Sequence, residues 1–124
     1  MEINRLGGGG MLEEIIKFPK RAELLPPATM AYIGDSIFEL FIRNLILEEK
    51  VSKPHDLHKE VVKYVNATAQ AELLKKINPD LTKEEKVIVR RGRNAKTGVP
   101  QNADPADYQY STAFEALLGY LYLA

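Results

Sequence analysis

Residues 30–43 read Met-Ala-Tyr-Ile-Gly-Asp-Ser-Ile-Phe-Glu-Leu-Phe-Ile-Arg, an apolar run whose only charges, Asp35, Glu39 and Arg43, recur at every fourth position. On a helix these three form one stripe. Met30, Ile33, Ile37, Phe38, Leu40, Phe41, Ile42 and Leu45 cover most of the remaining circumference, which predicts a largely buried helix over about residues 28–49. A carboxylate on such a helix is costly unless it is paired, hydrogen-bonded or bound to a metal. Residues 112–123, Thr-Ala-Phe-Glu-Ala-Leu-Leu-Gly-Tyr-Leu-Tyr-Leu, make the same demand, because Glu115 is the sole charge on a second apolar helix. A meeting of Asp35 with Glu115 answers both.

The rest of the chain supplies helices and little else. No segment alternates apolar and polar residues between hairpin turns, so the class is all-α. At 124 residues one domain with a real core is expected. Four consecutive glycines close residues 1–10, which suits a linker or an added leader and leaves 11–124 as the folded unit. A short helix is expected over 11–17, stopped by Pro19, with Pro26 and Pro27 fixing an extended approach to the organising helix. Leu57, Val61, Val62 and Val65 share a helical face within 56–65, and Ala67, Ala71, Leu74 and Ile77 another before Asn78-Pro79. Thr82 and Glu85 have capping-box spacing. Residues 97–103 read as a loop, and Asp104-Pro105 as an N-cap followed by proline at the first helical position. The apolar stop at Ala124 points to a further segment or a contact with another chain.

Composition excludes several function classes. Seventeen basic residues balance seventeen acidic ones, so a nucleic-acid surface must be local. Without cysteine there are neither disulfides nor thiolate zinc sites. No run reaches the roughly 18 apolar residues of a membrane span and no signal peptide is evident, so a cytoplasmic protein is the default. The one basic cluster lies at 83–96, where Lys83, Lys86, Arg90, Arg91, Arg93 and Lys96 face only Glu84 and Glu85. It reads either as a solvated helix end or as a phosphate-binding track. Gly92 favours the second if it lets the backbone leave the helix and present Arg93, Asn94 and Lys96. His55 and His58, three apart, are read as surface histidines because no third ligand stands near them.

Two carboxylates converging from different helices suit Mg²⁺, which prefers hard oxygen ligands and retains waters. Such an ion serves phosphodiester cleavage. Spacing alone leaves a structural reading open, in which Glu39 pairs with Arg43 and Glu115 forms a capping box with Thr112. Asp35 resists it, having no cation at i±3 or i±4, and Gly34 beside it admits a close helix approach.

Tyr-Ile-Gly-Asp-Ser-Ile-Phe-Glu at 32–39 resembles the signature of the ribonuclease III family. Phe-Glu-Ala-Leu-Leu-Gly-Tyr-Leu-Tyr-Leu at 114–123 resembles that family's second motif. Tyr-Val-Asn-Ala-Thr-Ala-Gln at 64–70 and Arg-Arg-Gly-Arg-Asn-Ala-Lys at 90–96 extend the likeness over nearly everything after residue 11, and point to the family's mini branch, which has the catalytic domain without a double-stranded-RNA-binding domain. The resemblance implies a Mg²⁺-dependent endoribonuclease for double-stranded RNA, with Asp35 and Glu115 as catalytic metal ligands and Glu39 in support. It implies products with 5′-phosphate and 3′-hydroxyl ends, a role in maturing the 23S ribosomal RNA precursor, and no DNA substrate. It also implies a homodimer, with Tyr32, Gly34 and Phe38 in the interface, and RNA contacts from Arg90, Arg91, Arg93, Asn94 and Lys96. Where full-length relatives carry further carboxylates this chain has Ala28, Ala31 and Thr112, so fewer ions or more water ligands are expected. The alternative is a helical RNA-binding or scaffold protein that kept the fold without cleaving.

Overall fold

The structure is a computed structural model that describes residues 18–49, 53–95 and 98–124. The short helix expected over 11–17, the leader and Lys96 lie outside the described residues. Five α-helices follow one another: α1 (Pro27–Glu49), α2 (Pro54–Val62), α3 (Ala67–Ile77), α4 (Lys83–Arg93) and α5 (Pro105–Leu123). Single 3₁₀ turns occupy Ala22–Leu24 and Asn78–Asp80, and no strand is present among the described residues.

Helix ends follow local chemistry. Pro27 is the first residue of α1 rather than part of an extended lead, and the Pro26 carbonyl accepts from the Thr29 and Met30 amides. Proline is tolerated there because that position has no intrahelical donor to lose. The same logic starts α2 at Pro54, two residues before the expected Asp56. That helix ends at Val62, short of Val65, because Asn66 takes the chain out of it. The Asn66 amide donates to the Lys63 carbonyl at 2.7 Å while its oxygen accepts from Ala69 N at 2.9 Å, so one side chain closes the turn and caps α3. Thr82 and Glu85 form the full capping box of α4, at 3.1 and 2.8 Å. Asp104 caps α5 through Ala106 N at 3.1 Å, placing the helix start at Pro105, well ahead of Thr112. Thr112 is therefore no cap, and its hydroxyl donates to the Tyr108 carbonyl at 3.0 Å.

Helix α5 is the centre of the molecule, packed against α1, α3 and α4. Ala113, Phe114, Ala116 and Leu117 are buried on it, and Phe114 meets Phe38 of α1 edge to face at 5.2 Å between ring centroids. Small residues bring the backbones together. A Cβ on Gly34 would lie 1.7 Å from the Glu115 carbonyl oxygen, and one on Gly119 would lie 1.8 Å from that of Met30. The two glycines thus admit each other's helix. Gly92 does the same for α4, where a Cβ would meet Ala113 Cα at 2.8 Å. It stays inside α4 and is buried, so the expectation that it lets the chain leave the helix is corrected.

Burial of α1 is also narrower than its composition predicts. Met30, Gly34, Ile37, Phe38 and Ile46 are buried, but Leu40, Phe41, Leu45 and Leu47 remain exposed and Tyr32 is 76% exposed. The other helices among the described residues are too few to cover a 23-residue apolar helix on all sides. Gly34 and Phe38 pack against α5 within the chain's own core.

Candidate active site

The α1–α5 crossing fixes the site. Gly34 puts the next residue, Asp35, beside the turn of α5 that carries Glu115, and the two carboxyl groups are hydrogen-bonded to each other. They open into a cleft of about 270 Å³ lined by Ala28, Ala31 and Tyr32 besides Asp35 on α1, and by Tyr108 and Thr112 besides Glu115 on α5. Ala28, Ala31 and Thr112, the three positions at which the resemblance implies carboxylates in longer proteins, therefore face the same space. No group of three or more His, Asp or Glu side chains suited to a metal occurs among the described residues.

Burial, the hydrogen bond to Asp35 and the charge of Asp35 push the Glu115 carboxyl up to about 8, against a hydrogen bond with the buried Gln70 amide that lowers it. At neutral pH Glu115 is thus mostly protonated and donates to Asp35. This arrangement fits a hard divalent cation. A 2+ charge would displace the shared proton, and the short alanines leave room for the waters that Mg²⁺ retains.

A pH dependence follows. A carboxyl whose folded pKa lies above its unfolded value binds more protons folded than unfolded, so its contribution to stability is complete below about 4.5 and is lost as pH rises through about 8. The thermal midpoint of metal-free protein is expected to fall across that window, while saturating Mg²⁺ protects progressively more. Glu115→Gln should lack both slopes. Scanning calorimetry at several pH values checks this, and identical slopes in the two proteins would contradict the assignment.

The other expected site residues fare differently. Glu39 takes the Arg43 guanidinium at 3.0 Å and does not line the cleft, as the i, i+4 pairing predicts. Arg91 is withdrawn from the expected RNA-contact set: its guanidinium donates to the Glu23 carbonyl and, at 2.7 Å, to the Leu25 carbonyl, tying α4 to the segment before α1. Arg90, Arg93 and Asn94 are exposed. Arg93 lies 5.9 Å from the Tyr110 ring centroid, and Lys75 of α3 lies the same distance from that ring. The tract on α4 thus continues onto α3, which was not expected from the sequence. His55 and His58 are exposed on α2.

Gln70 and Tyr108 were missed. Gln70 is three residues after Ala67 and four before Leu74, so a polar residue standing in a buried stripe was the readable signal. Tyr108 precedes Thr112 by one turn and Glu115 by two, which puts it on their face of α5.

Comparison with known proteins agrees with this geometry. The family model described as Ribonuclease III domain matches residues 28–124. The chain is 54% identical over 101 residues to the Mini-ribonuclease 3 of Symbiobacterium thermophilum, spanning 81% of this chain and 78% of that one. It is 50% identical over 117 residues to the Mini-ribonuclease 3 of a Thermoanaerobacter species, spanning 93% and 82%. A crystal structure of a Fusobacterium nucleatum protein, 38% identical, matches with a TM-score of 0.75 over 85% of this chain and 84% of the other. Matched by the family model across every helix described above and by the mini relatives at half identity, the chain belongs to the ribonuclease III family, in its Mini-ribonuclease 3 branch, and is an endoribonuclease.

Proposed function

We propose that this endoribonuclease cleaves double-stranded RNA, its family's substrate class, in a Mg²⁺-dependent reaction at Asp35 and Glu115, as a homodimer. The observation that carries the reading is the hydrogen-bonded convergence of these two carboxyls from separate helices at the mouth of one cleft. When bound, the ion would supply charge stabilisation at the scissile phosphate and orientation of the attacking water. Asp35 and Glu115 would hold it, and Ala28, Ala31 and Thr112 leave space beside them for water and phosphate oxygens. Hydrolysis breaks the bond to the 3′ oxygen, giving 3′-hydroxyl and 5′-phosphate ends. Incubating the protein with a structured duplex, with and without Mg²⁺, tests this. Binding without metal-dependent cleavage would return the scaffold alternative.

Exposed apolar residues on α1 support the dimer. Tyr32, Leu40 and Leu47 fall on one side of the helix by spacing, and covering such residues is favourable by about 25 cal/mol per Å². Two copies would bring two sites to one duplex, one for each strand. Sedimentation at micromolar concentration should show a dimer that Tyr32→Glu weakens, and a wild-type monomer cutting both strands in concert would contradict this geometry. The proposed natural substrate is the 23S ribosomal RNA precursor, tested by its accumulation with unprocessed ends in cells depleted of the protein.

Arg90 and Arg93 should serve phosphate binding and Arg91 should not. Replacing the first two by Gln is expected to raise the RNA concentration needed for half-maximal rate and to flatten its salt dependence, with a smaller change in turnover. Arg91→Met should instead cost about 2 kcal/mol of stability, the scale of a charged hydrogen bond to backbone. Urea unfolding alongside RNA-binding titrations separates the two roles.

A further inference from the structure

Gln70 is 4% exposed, and its neighbours along the inner face of α3, Ala71 and Leu74, are buried and apolar. An amide in such surroundings must find a partner. No buried side-chain nitrogen or oxygen lacks one among the described residues, and the Gln70 amide lies close enough to the Glu115 carboxyl to hold its pKa down as a donor does. Glu115 lines the open cleft and Gln70 is buried, which puts the amide on the side of the carboxyl turned toward the core. The helix that delivers it is anchored close by: Asn66 caps α3, and Thr68 donates to Asp107 of α5 at 3.1 Å.

We propose that Gln70 is a positioning residue for cleavage, its amide holding Glu115 from the buried side so that the carboxyl presents a fixed oxygen to Asp35 and to the incoming cation. The inference rests on Glu115 being an ion-holding carboxylate, as proposed above. A glutamine suits the task chemically. Its amide N–H donates to an anion without adding positive charge, whereas lysine or arginine at this position would repel a divalent cation. Asparagine would fall one methylene short, and an apolar residue would leave a half-buried carboxylate unsupported. Groups that orient metal-binding side chains in this manner commonly change metal affinity or activity 10- to 100-fold.

The test uses Mn²⁺ as the probe, with free ion followed by electron paramagnetic resonance in the absence of RNA. Gln70→Met, close to glutamine in shape, should weaken Mn²⁺ binding about tenfold or more while retaining helical circular dichroism and duplex affinity. Combined with Glu115→Gln, it should cause no further loss, because its effect passes through Glu115. Should Gln70→Met not fold, Gln70→Asn carries the same expectation. Unchanged Mn²⁺ affinity in the folded variant, beside a weakened Glu115→Gln, would overturn this inference alone. An equal loss in both backgrounds would also overturn it. Wild-type affinity in Glu115→Gln itself would remove the ion from Glu115, and both readings would fall together.

Discussion

Asp35→Asn and Glu115→Gln are each expected to lower single-turnover cleavage of duplex RNA by roughly three orders of magnitude at saturating Mg²⁺. That corresponds to about 4 kcal/mol of lost transition-state stabilisation. Both changes keep shape and remove charge, so their effect reports on the charge at the site rather than on packing. RNA affinity should survive and can rise, because an ionised carboxylate beside a phosphate repels it when no cation lies between them. The two substitutions together should cost little more than either alone, as residues acting as one unit do, if the shared site proposed above is right. Glu39→Gln should cost far less, its side chain being held by Arg43 outside the cleft. Near-normal turnover in Asp35→Asn would defeat the proposed chemistry and leave Asp35 as a structural carboxyl.

The second large effect is on stability. Gly34→Ala should cost about 3 kcal/mol or more, because the added methyl would sit 1.7 Å from the Glu115 carbonyl oxygen. The obstacle is backbone, not a side chain that can swing aside, so relief requires α1 and α5 to part. Parting opens the seam where Phe38 meets Phe114 and separates Asp35 from Glu115, and activity should therefore be lost before the fold is. Gly119→Ala meets the Met30 carbonyl at 1.8 Å and should behave alike. Gly92→Ala is expected to be milder, its nearest obstacle being 2.8 Å away. Urea midpoints rank the three. An unchanged midpoint in Gly34→Ala would show that the helices have slack at the crossing.

Much of this architecture was legible in the chain because its signals are local. Asn78-Pro79, Asp104-Pro105 and the Thr82–Glu85 box act within one helical turn, and each does what its chemistry predicts. The meeting of Asp35 with Glu115 was legible for another reason: an unpartnered carboxylate on an apolar helix states its need for a distant neighbour. What stayed hidden depends on which face of a helix finds a neighbour. A glycine near the end of a basic helix reads as an exit, but Gly92 is there so that α5 can approach. Arg91 is chemically identical to Arg90, yet it faces the carbonyls of Glu23 and Leu25, sixty-eight and sixty-six positions away. Thr112 and Glu115 fit a capping box by spacing, and only the earlier helix start at Asp104 rules it out.

The double hydrogen bond of Asn66 also sets a limit on chain length. Only residues 63–66 separate α2 from α3, and Asn66 spans most of that gap with its own side chain. Adding a single residue there would break this pair of hydrogen bonds, so α3 would lose its cap and the fixed approach that sets Gln70 against Glu115, although no residue of the site had been substituted. The exposed turn at Gln101 and Asn102 carries no comparable constraint, since the cap at Asp104 restarts α5 independently of what precedes it. Insertions are therefore expected to be accepted between α4 and α5 and refused between α2 and α3, where the length of a four-residue corner is as constrained as any side chain.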